Sequence, residues 1–332
     1  VAEQLGDVVV TIPTVAGAVE PAELGRTLMH EHIFVVDPEL SRDRPGEFDE
    51  PAEIERARRS LRELKASGFD TLVDMTVIGL GRDVDRVRRA VEGTGMNVIV
   101  ATGIYTFGAL PNYFRARGPG TANGGEDPVL EMLLRDTRVG IGGTGVRAGV
   151  LKCVIDAFGA TPDVERSTRA VGRAHRAVGT PISTHSHAPS RSGLVQQDLL
   201  ASEGVDLGRV LIGHCDDTDD LDYLTRLIER GSYLGVDRFG LETIRPDADR
   251  VRTVAELCRR GYAERLVLSH DASCFTMNYP TDTRQRVLPN WRHGAIGDTF
   301  IPALLAAGVT DDQVERMLRG NPAAFLGRTD PY

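Results

Sequence analysis

Eight short apolar runs alternating with amphipathic segments predict a single (β/α)8 barrel spanning the whole 332-residue chain. Three observations carry that expectation. The runs are rich in Val, Ile and Leu, as parallel strands buried on both faces are. The intervening segments repeat apolar residues at helical spacing and carry helix start and stop signals. Unusual polar residues then recur, run after run, where the strands should end. An open doubly wound sheet is the alternative, but no G-x-G-x-x-G turn follows the first run.

In chain order the strand candidates begin with "TLMHEHIFV" from Thr27, "TLVDMT" from Thr71, "NVIVATGIY" from Asn97 and "GVLKCVI" from Gly149. They continue with "PISTHSH" from Pro181, "RVLIGHC" from Arg209, "YLGVDRF" from Tyr233 and "RLVLSHDA" from Arg265. In "PAEIERARRSLRELKASG", Ile54, Ala57, Leu61 and Leu64 recur at helical spacing, Pro51 suits a first turn and Gly68 a C-cap. "TPDVERSTRAVGRAHRAVG" opens in the same way on Thr161 and Pro162, and "DDTDDLDYLTRLIERG" places Leu221, Leu224 and Ile228 on one face before Gly231. Two connections are long: Ile104 to about Asp127 after the third strand, and Ser273 to about Asp298 after the eighth. Loops of that length are usually functional.

Hydrophobic residues make up 41% of the chain, enough for a full core, and no apolar run approaches the length needed to span a bilayer. A formal charge of −9 without basic clusters argues against nucleic acid and against anionic membranes. Cys153, Cys215, Cys258 and Cys274 lack C-x-x-C spacing, so neither a disulfide framework nor a thiolate zinc site is expected. The opening "VAEQLGDVVVTIPTV" has no basic start and no sustained apolar segment, and so does not read as a signal peptide. A reduced cytoplasm is the expected location.

The first strand raises the chemical question. Alternate side chains share a face, so His30 and His32 project together while Glu31 points away. Burying paired imidazoles is costly unless each has a partner. Barrel active sites lie at the C-terminal strand ends, and there the chain also brings Lys152, His185, His214 and Asp271. Any one of them has a structural explanation, such as a hydrogen-bonded core histidine or a buried ion-pair lysine. Converging on one barrel mouth, they call for something bound. Imidazoles with a carboxylate suit Zn²⁺ or a similar borderline ion. Cys153 and Cys215 follow Lys152 and His214 directly and should face outward as inert core thiols. His187 lies two residues beyond His185 and is a rival ligand on geometry alone; His175 reads as a surface residue, and His293 stays undecided.

"GRTLMHEH", "LKC", "PISTHSHA", "IGHCDDTDDLDYL" and "LSHDA" together resemble the motifs of the phosphotriesterase family of the amidohydrolase superfamily, from about Val15 to about Phe325. The resemblance implies a barrel carrying two divalent metals, zinc first, with cobalt, iron or manganese as alternatives. They would be bridged by Lys152 carboxylated with CO₂ and by an attacking hydroxide. By position, His30, His32 and Asp271 would hold one metal, and His185 and His214 the other. The same resemblance makes Asp271 the proton acceptor, makes Asp217 the residue that carries the proton onward, favours His185 over His187 as ligand, and suggests a homodimer.

Two pocket positions narrow the branch. Tyr105, in "ATGIYTFG", and Arg238, in "GVDRFG", resemble the phosphotriesterase-like lactonases. These open lactones, including N-acyl-homoserine lactones, and hydrolyse organophosphates as a side activity. A phenol could orient the attacking hydroxide or a carbonyl, and a guanidinium could anchor its loop or contact the ring. Alternatively, Tyr105 packs at the rim and Arg238 pairs with Asp237 or another acid. Phe275, Met277, Tyr279 and Trp291 of the last loop could wall an apolar channel or bury a dimer contact. A dedicated phosphotriesterase is the second functional reading, and a noncatalytic metal-binding barrel the third.

Overall fold

The computed structural model describes residues 10–332; the first nine residues of the stretch read for a signal peptide lie outside the described residues. Every apolar run forms a strand. After an N-terminal hairpin of β1 (Ile12–Thr14) and β2 (Gly17–Val19) come β3 (Thr27–Val35), β4 (Thr71–Asp74), β5 (Asn97–Gly103) and β6 (Val150–Ile155). Then follow β7 (Ile182–Ser186), β8 (Val210–Ile212), β9 (Tyr233–Val236), β10 (Leu266–Leu268) and β11 (Ser273–Thr276). Strands β3 to β10 pair in parallel in chain order, and β11 pairs in parallel with the free edge of β3. With helices between successive strands, the chain forms a (β/α)8 barrel.

The strands are buried on both faces, which is why their sequences read as continuous apolar runs. Met29, Val73, Ile99, Val150, Leu211 and Val267 pack together in one cluster, while Leu28, Leu72, Val98, Leu151, Cys153 and Ile212 pack in a second that includes the helices. Alternation along each strand separates the two. On β3 the register slips between Leu28 and Glu31, so Met29 and its neighbour His30 both turn toward the barrel interior.

The helices begin where the sequence signals them. Glu50–Ala66 carries Pro51 in its first turn, is capped by Asp49 accepting from the Ala52 amide, and buries Ile54, Ala57, Leu61 and Leu64. Pro162–Val178 is capped by Thr161 and ends at Gly179 in the left-handed conformation. In Leu221–Glu229, Tyr223 and Leu227 join Leu224 and Ile228 inside, and Leu221 is only half-buried. His175 departs from expectation. Its ring is buried, with Nδ1 against the Thr180 carbonyl at 2.7 Å and Nε2 against the Tyr332 hydroxyl at 3.0 Å, because the C-terminal tail crosses that helix end. No helix among the described residues is long and apolar enough to cross a membrane.

The barrel closes through a side chain. The run "RLVLSHDA", expected as one strand, ends as β10 at Leu268, and Asp271 turns the chain with φ 54 before β11 begins. In the gap, Glu31 accepts from Ser269 Oγ and the His270 amide at 2.9 Å, from the Ala272 amide at 2.9 Å, and meets His270 Nδ1 at 2.7 Å. Burial pushes its carboxyl up to about 7 against the pull of these donors. Glu31 does point away from His30 and His32, into this seam. Glu31→Ala strands several buried donors at once and should cost about 3 kcal/mol or more. Denaturant unfolding of metal-free protein measures this; a loss below about 1 kcal/mol would mean water replaces the carboxylate.

Candidate metal centre

The barrel interior delivers His30 and His32 from β3, Lys152 from β6 and His185 from β7. His214 and Asp271 lie just past β8 and β10, both at positive φ (59 and 54). A left-handed backbone at a residue with a Cβ costs roughly 1–2 kcal/mol and is found where function demands an orientation. All of these side chains except that of Asp271 are buried, and Asp271 opens partly to the barrel mouth.

Three of the four imidazoles have one nitrogen hydrogen-bonded outward, and His30 Nδ1 faces an Asp237 oxygen without a formed hydrogen bond. His214 Nδ1 is 2.8 Å from Asp237 Oδ1, and His30 Nδ1 is 3.3 Å from Asp237 Oδ2. His32 Nδ1 meets Thr76 Oγ1 at 2.8 Å, and His185 Nε2 meets Asp156 Oδ2 at 2.6 Å. A carboxylate is an acceptor only, so its imidazole partner donates there and leaves its other nitrogen bare. The inward nitrogens then converge. His185 Nδ1 and His214 Nε2 are 2.9 Å apart, His32 Nε2 is 3.2 Å from Asp271 Oδ1, and His30 Nε2 is 3.6 Å from the same oxygen. Lys152 Nζ is 3.4 Å from His30 Nε2. Two overlapping donor groups result, His30 with His32 and Asp271, and His30 with His214 and Asp237.

Electrostatics favours metal-binding protonation states. Burial lowers the pKa of His30, holds His185 at about 4 and keeps His214 well below its ordinary value, so these rings are neutral. Burial likewise lowers Lys152 to about 8. Burial works against the ionisation of Asp271, but the hydrogen bond from His32 and the Arg238 guanidinium hold its carboxyl well below the usual range. Lone pairs from four imidazoles and a carboxylate, each oriented by an outer partner, make a donor set that fits divalent ions.

Arg238 does not pair with Asp237 but with two other acids. Its Nε is 3.2 Å from Asp271 Oδ2 and its Nη1 2.6 Å from Asp217 Oδ2, so it ties those two carboxylates together. Tyr105 stands over the site with its ring 5.3 Å from that of His185 and 5.6 Å from Lys152 Nζ. His187 turns Nδ1 to Ser190 Oγ at 3.0 Å and stays out of the cluster. His293 is buried against the Ala272 carbonyl at 3.1 Å.

Above these residues opens a cavity of about 200 Å³ with His32, Lys152, His185 and Asp271 on its floor. Tyr105, Arg238, Leu241, Ile244, Tyr279 and Trp291 form its walls. A larger hollow of about 620 Å³ runs along Val15 and Met96, near the starts of the strands and away from these groups. Phe275 and Met277 do not line the cavity. The pairing of β11 with β3 sets Phe275 beside Phe34 and turns it onto Phe48, 5.1 Å away, and Met277 packs on the outer core. Trp291 Nε1 donates to the carbonyls of His270 and Asp271 at 2.9 and 3.1 Å, bracing the strained turn.

Sequence reasoning missed Asp237, Asp156, Thr76 and His270. An acid at the end of an apolar run was the available signal for Asp237. Gly235 supports it, since a Cβ there would sit 2.3 Å from Asp237 Oδ2.

The family model described as Phosphotriesterase family matches residues 10–326. A phosphotriesterase homology protein of Mycobacterium tuberculosis is 48% identical over 320 residues, covering 96% of this chain and 98% of that protein. An aryldialkylphosphatase of Saccharolobus solfataricus is 35% identical over 312 residues, covering 93% and 97%. The solved structure of the phosphotriesterase from Mycobacterium tuberculosis superposes with a TM-score of 0.95 at 47% identity, covering 97% of this chain and all of that one.

Proposed function

The chain belongs to the phosphotriesterase family, whose members are metal-dependent hydrolases with a binuclear centre, and on that premise we propose that it opens lactones, N-acyl-homoserine lactones among them. Organophosphate triesters are side substrates in this reading. The observation that carries it is the small cavity, about 200 Å³, over the donor cluster, with Tyr105 and Arg238 among its walls. A planar lactone carbonyl enters such a space more easily than a tetrahedral phosphotriester with three bulky substituents.

We assign His30, His32 and Asp271 to one metal, His185 and His214 to the other, and Lys152, carboxylated by CO₂, to both. The nitrogen-rich donor set favours zinc, with cobalt, iron or manganese as alternatives. When bound, the ions supply an acidified water and a Lewis acid for the substrate's oxygen. The chain's own residues do the rest. Asp271 faces the cavity and takes the proton released on attack. The Tyr105 phenol positions the carbonyl, and Leu241, Ile244, Tyr279 and Trp291 give the acyl chain an apolar wall. A guanidinium does not surrender its proton, so Arg238 holds Asp271 and Asp217 together rather than passing a proton between them. Asp217 thus serves to orient Arg238, which modifies the relay the resemblance implies. A cytoplasmic homodimer, each chain a single barrel domain over residues 1–332, completes the proposal.

The test is kcat/KM for a homoserine-lactone series against an aryl dialkyl phosphate, on metal-reconstituted protein. The lactones should lead by at least about tenfold, a transition-state preference near 1.4 kcal/mol. The name of the Saccharolobus relative favours the second reading, a dedicated phosphotriesterase. Faster turnover of the organophosphate than of any lactone would establish it.

A further inference from the structure

Arg250 leads the largest fully buried side chains among the described residues, and no water reaches it. It rises from the helix Asp247–Arg259 behind the metal centre. One guanidinium nitrogen is 3.0 Å from Asp217 Oδ1, and Nη1 is 3.3 Å from Asp216 Oδ2. Further bonds run to the carbonyls of Asp216 at 3.2 Å and Leu241 at 3.3 Å. Taking a cation and two adjacent carboxylates out of water is expensive, and apolar residues of similar size would often serve stability as well. The arrangement therefore calls for a reason beyond stability.

The partners of Arg250 supply it. Asp216 also accepts the backbone N–H of Asp237 at 3.2 Å and of Arg238 at 3.1 Å. Asp217 gives its other oxygen to Arg238 Nη1 at 2.6 Å. Arg250 thus stands one carboxylate behind both the main chain and the side chain of Arg238. Arg238 Nε in turn reaches Asp271 Oδ2 at 3.2 Å. The charges alternate along the whole line, Arg250 to Asp217 to Arg238 to Asp271, so the two inner members, Asp217 and Arg238, are each held by opposite charges on both sides.

We propose that Arg250 is a positioning residue for the hydrolysis, holding the Arg238 guanidinium against Asp271 through Asp217 and Asp216. The proposal rests on the reading that Asp271 takes the proton. It is indifferent to whether a lactone or an organophosphate is preferred, so the assay uses whichever substrate the wild type turns over faster. Without Arg250, Asp217 keeps one cation instead of two, and Arg238 loses its fixed direction. Chemistry should suffer while substrate affinity does not.

A double-mutant cycle on the full metal-reconstituted chain tests this, with kcat and KM expressed per metal-loaded molecule. Arg250→Met should lower kcat by about tenfold, as expected for losing an orienting charged hydrogen bond, and leave KM and metal content near wild type. Arg238→Met should lower kcat at least as much. The double variant should be no slower than Arg238→Met alone, because both changes break one line. Multiplicative losses would overturn the proposal, as would a loss in Arg250→Met that disappears once activity is counted per metal-loaded molecule. If Arg250→Met does not fold, Arg250→Lys, which keeps the charge but not the forked reach, enters the same cycle. A kcat loss that vanishes in the Arg238→Met background supports the role; one that persists there, or no loss, overturns it. A failure of the lactone reading would appear separately, in the substrate ratio.

Discussion

Replacing Lys152 with alanine should strip most of the bound metal and lower kcat/KM by about 10³-fold or more. Lys152 Nζ reaches the middle of the cluster, 3.4 Å from His30 Nε2 and 3.1 Å from the Met75 carbonyl. An ammonium there cannot ligate a cation. Burial brings its pKa down to about 8, so the neutral amine that combines with CO₂ is readily reached near neutral pH. The resulting carbamate would be a carboxylate on a long stem, the kind of group that could serve both ions of a binuclear centre. On the proposed binuclear reading, alanine would remove that anion and leave neutral imidazoles and one carboxylate to hold both ions. A loss of about 4 kcal/mol of transition-state stabilisation corresponds to the stated rate effect. Metal content by elemental analysis reads the binding directly, and added propionate should restore part of both. One metal per chain in fully active wild-type protein would refute the bridging role.

Asp271→Asn should reduce kcat by about 10²–10⁴-fold, the span expected when a positioned proton acceptor is lost. The amide keeps an oxygen for coordination, so metal should be lost less than with Lys152→Ala. It no longer carries the charge that faces His32 Nε2 and Arg238 Nε, each 3.2 Å away. An Asn variant that retains both metal and full activity would remove Asp271 from proton transfer.

Much of this site was legible in the linear chain because strand parity is local. His30 with His32, and Lys152 between the outward Leu151 and Cys153, follow from alternation within one run. His214 and Asp271 were legible by type and position, but not by direction, since each sits past its strand in a left-handed turn. Asp237 escaped because an acid at the end of an apolar run reads as the start of a loop. Only the adjacency of β8 and β9 brings its carboxylate to His214 Nδ1. The apolar walls were half legible: Tyr279 and Trp291 line the cavity, whereas the register of β11 takes Phe275 out of it.

The sequence by itself determined the eight strands, the helices between them and the residue types that gather at the barrel mouth. Periods of 2 and 3.6 residues and capping residues act over a few positions, so they are written in any short window. Tertiary structure alone decided which nitrogen of each histidine faces inward, that Glu31 closes the barrel, and that Arg238 joins Asp271 to Asp217 with Arg250 behind. Those outcomes depend on hydrogen bonds and ion pairs between residues distant in the chain. Such partners are chosen by how strands and helices pack together, which no local pattern encodes.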